Sequence, residues 1–133
     1  MTSIVSRVFL GLEPWLRRRV THKELGWKEI GEKFTRFVLL KTRWLSVYLH
    51  KLDAPVRHPQ CHDHPWHFWV LVLGHGYYEE MRGRTVWRRP GSVLYRPAAS
   101  LHNTITVAGR PNWSVIVVSG RKRDWGMRGC DDV

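Results

Sequence analysis

The chain has 133 residues, of which 43% are hydrophobic, so it is long and apolar enough for one domain with its own core and is not a disordered chain. No apolar run approaches the roughly 20 residues that a membrane-spanning helix needs, which argues against a membrane protein. Lys and Arg outnumber Asp and Glu by 22 to 11, and the resulting charge of +11 either attracts an anion (nucleic acid, a phosphorylated metabolite, a carboxylate, an acidic partner) or simply keeps the surface solvated.

Residues 1–33 carry the weakest pattern and read as an N-terminal arm. The apolar start is interrupted by Arg7 and is followed by no small-residue cleavage site, so it does not read as a secretion signal. Cys61 and Cys130 are far apart and form no CxxC pair, which points to a reduced, cytoplasmic protein. Arg17, Arg18 and Arg19 form a short basic run. Thr21 followed by Glu24 matches a capping box and predicts a short helix from His22, weakened by Gly26 and Gly31. Trp15, Trp27 and Ile30 are the residues that would lay this arm across a sheet or a partner subunit.

From Phe34 the texture changes. Residues 34–42 and 44–52 read as two strands, and a loop with Pro55 and Pro59 leads to a histidine cluster. Residues 68–73 form an apolar run closed by Gly74, His75 and Gly76. Residues 77–81 and 85–89 read as a hairpin turning at Arg82, Gly83 and Arg84. Strands follow at 92–96, 103–107 and 113–119, with turns at Pro97 and at Gly109–Pro111, before a polar tail of residues 121–133 anchored by Trp125. Short strands joined by short Gly- and Pro-containing links predict an antiparallel, all-β sandwich or barrel.

The chemistry concentrates in Cys61, His62, Asp63, His64, Pro65, Trp66 and His67. On an extended strand, His62 and His64 project from one face, and neutral imidazole is the commonest metal ligand among side chains. Against this stands the ordinary His-rich surface loop that binds nothing. Asp63 reads as a strand-exterior residue, Cys61 as a packed thiol, and His58 and His75 as loop histidines.

These segments resemble the two motifs of the cupins, small barrels of the double-stranded β-helix type. The first motif is G-x5-H-x-H-x3,4-E-x6-G: His62, His64 and Gly76 match it, while Val56 stands at the opening glycine and Trp69 at the glutamate. The second is G-x5-P-x-G-x2-H-x3-N: Gly91, Pro97 and His102 match, while Ala99 and Thr106 replace its last glycine and its asparagine. The resemblance spans residues 35–119 and implies a jelly-roll barrel over 34–120.

The resemblance implies a divalent transition metal held by His62, His64 and His102. Iron is preferred and zinc, nickel or manganese are open, since their ligand sets overlap. His67 lies near the vacant glutamate position and is a fourth candidate ligand, the alternatives being a supporting or pocket-lining role. Trp69 is expected to wall the site. Glu79 is a candidate general acid or base, Tyr95 (with Tyr48 and Tyr78) a candidate phenol donor, and Arg96 and Arg43 candidate anion anchors.

Three imidazoles without a carboxylate resemble the thiol-dioxygenase-like branch of the family. The resulting expectation is a metal-dependent enzyme of dioxygenase type acting on a small anionic molecule. A metal-dependent isomerase or hydrolase uses the same ligands, and a non-catalytic binding module is the third class. Nucleic acid is disfavoured, because the basic residues are scattered and no groove-reading motif is present. A homodimer is expected, with the arm as its exchanging element.

Overall fold

The structure, a computed structural model, describes residues 4–25, 33–53, 64–81, 83–100, 102–107 and 109–120, and the backbone alone at 61–62 and 127–128. His58, Asp63, Trp27, Ile30, Trp125 and the side chains of Cys61 and His62, all singled out above, lie outside the described residues.

Helix α1 (Ile4–Arg19) precedes strands β1 (His22–Leu25), β2 (Phe34–Lys41), β3 (Leu45–Leu52), β4 (Cys61–His62), β5 (Phe68–Val72), β6 (Tyr77–Met81), β7 (Arg84–Arg88), β8 (Val93–Arg96), β9 (Asn103–Ile105), β10 (Asn112–Ser119) and β11 (Met127–Arg128). Six of them form one sheet in the order β1-β2-β3-β10-β5-β8; β7-β6-β9 form a second, and β11 pairs with β4. Every pairing is antiparallel, as links this short require.

Strand alternation decides what each face carries. On β5, Phe68, Val70 and Val72 are buried while Trp69 and Leu71 are exposed. The inward row packs with Tyr48, Tyr77, Ile116 and Val118 as the barrel core. The other face of the large sheet is covered instead of solvated: Phe37, Leu49 and Trp113 pack with Leu16 of α1. Phe9 stacks on Trp113 with ring centroids 4.9 Å apart.

The N-terminal region departs from expectation. The helix lies at Ile4–Arg19, although Gly11 and Pro14 sit inside it; packing on Trp113 supplies what local propensity lacks. Its Glu13 is tied to the sheet by Lys51 Nζ at 2.7 Å. The capping-box pattern starts no helix. The Thr21 carbonyl accepts the Val38 N–H, and Glu24 accepts from Arg17 at 2.7 Å and from Thr35 at 2.8 Å. Those tertiary partners hold residues 22–25 as an edge strand.

Two motif glycines have physical reasons. Gly76 has φ +80°, and a Cβ there would collide with the Arg88 carbonyl oxygen. Gly91 turns with φ +89° in open space, so conformation alone requires it. Among the described residues, no helix is long and apolar enough to cross a membrane.

Candidate active site

The inner faces of the barrel enclose a cavity of about 180 Å³, walled by apolar side chains including Phe34, Leu52, Trp66, Phe68 and Ile116. His64 and His102 enter it together, their Nε2 atoms 3.5 Å apart. They come from distant parts of the chain, and the backbone explains their meeting. The His64 N–H donates to the Ala98 carbonyl at 2.9 Å, and the Ala98 N–H donates back to His67 Nδ1 at 2.8 Å. The segment holding the first histidines is thus stitched to the Pro97 turn that precedes His102.

His102 is held from behind. Its Nδ1 donates to Glu79 Oε2 at 2.9 Å, which turns Nε2 towards His64. A carboxylate behind an imidazole in this way fixes ring and tautomer as metal sites do. Two imidazole nitrogens on one tetrahedral ion, each bonded at about 2.0–2.1 Å, lie about 3.3 Å apart. The observed separation fits a shared ion. Among the described residues, no group of three or more His, Cys, Asp and Glu converges as a complete metal site.

Glu79 is 1% exposed and receives more than His102. Arg88 Nε donates at 2.9 Å and Arg96 Nε at 3.2 Å, and Arg96 Nη2 makes a further short contact with the same carboxylate. Burial pushes this carboxyl up, but the hydrogen bonds and charges of His102 and Arg96 outweigh it and hold it at about 2. Glu79 is also absent from the cavity wall, so its carboxylate faces His102 and the arginines and not the cavity. The expected acid–base role of Glu79 becomes one of positioning His102, and Arg96, the expected anion anchor, is bound to Glu79 instead.

Four other expectations change. Tyr95 is half exposed on the outer face and packs on Trp69, centroids 4.8 Å apart, so neither the phenol nor the indole borders the cavity. Outward phase on β5 and β8 puts them there, and Trp66 and Phe68 wall the site in place of Trp69. His67 is not brought to the His64–His102 pair; its Nδ1 is used by the Ala98 N–H. Arg43 lies over Trp44, itself 71% exposed, with its guanidinium carbon 4.3 Å from the ring centroid.

The sequence reading passed over Arg36 and His50. Both line the cavity, and Arg36 Nε donates to His50 Nε2 at 3.1 Å. Burial, followed by the charge of Arg36, holds the imidazole well below its ordinary value, so it is neutral and accepts. The guanidinium carbon lies 4.3 Å from the Tyr48 ring centroid and 5.8 Å from that of Trp66. The signal was the phase of the strand: Arg36 shares its face with Phe34 and Val38.

No protein-family model and no curated protein sequence matches the chain. Solved structures do. The polyketide cyclase RemF from Streptomyces resistomycificus superposes with TM-score 0.66 at 21% identity, covering 85% of this chain and 81% of that one. The DMSP lyase DddQ from Ruegeria pomeroyi DSS-3 gives 0.67 at 17% identity, covering 95% and 69%. A cupin-2 domain from Rhodospirillum rubrum gives 0.66 at 13%, covering 80% and 74%. With the antiparallel barrel and the two stitched motifs described above, these likenesses make the chain a cupin in fold, a double-stranded β-helix preceded by one helix.

Proposed function

We propose that the cavity is the active site of a metal-dependent cupin enzyme acting on a small anionic molecule. The observation that carries this reading is the convergence of His64 and His102 inside an apolar cavity that also holds the cation of Arg36. His64 and His102 would hold a divalent transition metal, iron preferred, with His62 as a third ligand from β4, two residues before His64. When bound, such an ion supplies a Lewis-acid centre with open coordination positions.

The chain's own residues do the rest. Glu79 fixes the His102 tautomer, while Trp66 and Phe68 exclude water from the pair. Arg36 attracts and orients the anion. Dioxygenase chemistry is the finer form we propose, because a ligand set of three histidines without the motif's glutamate leaves more of the ion's charge and coordination open. A non-redox elimination or cyclisation is the second reading, favoured by the names of two structural neighbours, a lyase and a polyketide cyclase.

Elemental analysis of the full chain, purified without chelators or a histidine tag and reconstituted with iron, manganese, nickel or zinc, tests the centre. Wild type is expected to keep one equivalent, and His62→Ala, His64→Ala and His102→Ala each to lose it. Folded wild-type protein that retains no metal sinks the reading. Metal-dependent oxygen uptake with a panel of thiols and carboxylates selects the dioxygenase form, and turnover under nitrogen the second.

A further inference from the structure

An arginine drawn partly out of water ordinarily has a carboxylate, since an unpaired, poorly solvated charge is costly. Arg96 and Arg88 obey this rule at Glu79. Arg36 does not. Its hydrogen bond goes to a neutral imidazole, and among the described residues no acidic side chain pairs with it. Among the described residues, no other Lys or Arg lines the cavity.

The arrangement is directional. His50 takes the Nε–H, and Phe34 packs edge-on against that imidazole at 4.6 Å. The Tyr48 ring lies against the guanidinium plane. Among the described residues, backing on Nε and against the Tyr48 ring leaves the Nη1 and Nη2 edge for a ligand, and two parallel N–H groups match the two oxygens of a carboxylate. Asn103, Thr104, Asn112 and Ser114 offer neutral donors, but among the described residues Arg36 is the cavity's one Lys or Arg, a charge that matches a monocarboxylate better than a phosphate dianion.

The guanidinium also lies towards the histidine pair. Arg36 and His50 share an inward row, Tyr48 is the next row along β3, and the guanidinium leans over Tyr48 and approaches Trp66, two residues after His64. Arg36, His64 and His102 line the same cavity with Trp66 and Phe68, so a ligand seated on Arg36 shares that space with the histidine pair.

We propose that the cavity binds a compact monocarboxylate with a flat or apolar body, its carboxylate on the Nη edge of Arg36 and His50 positioning that arginine. This deepens the functional reading above and rests on it only in taking this cavity as the site.

The probe is benzoate, titrated calorimetrically into the full chain as purified and again after dialysis against EDTA, with metal content measured on both samples. Benzoate is expected to bind both. Loss of its charge-assisted pair in Arg36→Gln should weaken binding by about 10- to 100-fold. Arg36→Lys should fall between, as a point charge without the fork. His50→Gln, whose amide oxygen still accepts the Nε–H, should keep most of the affinity, and His50→Leu should lose much of it.

Benzyl alcohol should bind far more weakly than benzoate to wild type, a comparison that survives even if a variant fails to fold. The proposal is overturned if Arg36→Gln binds benzoate as wild type does, if benzyl alcohol or phenylphosphonate matches benzoate, or if folded wild type binds none. Benzoate bound only before EDTA treatment also overturns it, because the anion would then be held by the metal. Failure of the metal reading alone appears as absent metal with benzoate binding intact.

Discussion

The barrel holds half-buried arginine in two ways, and the contrast separates scaffold from site. Around Glu79, Arg88 and Arg96 converge on one carboxylate that is 1% exposed, and the same carboxylate orients His102. Around Arg36, the neighbours are a neutral imidazole and two aromatic rings. In the first cluster each guanidinium has a carboxylate partner, which holds the shape of the wall. The second keeps a guanidinium edge uncommitted, which is how a protein prepares for an anion that it does not itself contain.

The sharpest way to break this contrast is to neutralise one group in each cluster. Glu79→Gln leaves two half-buried guanidinium groups without their carboxylate and is expected to cost about 2–3 kcal/mol of stability, less than the penalty for a fully buried pair because water still reaches both arginines. It should also loosen His102, lowering metal affinity by about 10- to 100-fold. Arg36→Gln strands no charge and should change stability by no more than about 1 kcal/mol. Urea denaturation of the two variants beside wild type measures the difference. Equal losses would mean that Arg36 is as structural as Arg96.

The pH dependence of stability sharpens the same point through His50, which faces Arg36 from the adjacent strand and Tyr48 from its own. Burial and the Arg36 charge lower the imidazole's pKa in the folded state, so below the ordinary value of about 6.5 the unfolded chain binds the extra proton. The stability due to neutral His50 is therefore fully present above about pH 6.5. It falls with pH below that point by up to about 1.4 kcal/mol per unit, until the folded-state value is reached. His50→Gln should flatten this slope between pH 6.5 and 5, in denaturation midpoints taken as a difference from wild type so that other histidines cancel. An unchanged slope would show that the proton is taken up elsewhere.

What the sequence disclosed follows from what is local. Strands with period-two burial, the hairpin through Gly83 and the motif glycines Gly76 and Gly91 were legible, because alternation and positive φ are written into a few consecutive residues. The helix was not. Gly11 and Pro14 argue against it locally, and the residue that rewards it, Trp113, lies about a hundred positions away. Of the site, the pairing of His64 with His102 followed from motif spacing. The fate of the arginines did not. Arg36 and Arg96 both stand on strands among apolar neighbours, and only tertiary register gives one a carboxylate and the other an imidazole. The same limit misplaced Tyr95 and Trp69, whose outward phase a short strand does not declare.

His67 gives the finest test of that distinction between holding and binding. Next to the vacant glutamate position it reads as a ligand, yet its Nδ1 accepts the Ala98 N–H and thereby joins the two motif segments. His67→Ala removes one acceptor from a backbone donor, a loss of about 1–3 kcal/mol if the N–H stays buried and less if water reaches it. His67→Gln, which can still accept, should recover part of that loss. Bound metal should remain near one equivalent in both variants, in contrast to His64→Ala and His102→Ala. Loss of metal in His67→Gln at unchanged stability would reverse the assignment and make His67 a ligand, because a bond that only joins two segments leaves no such mark when an equivalent acceptor replaces it.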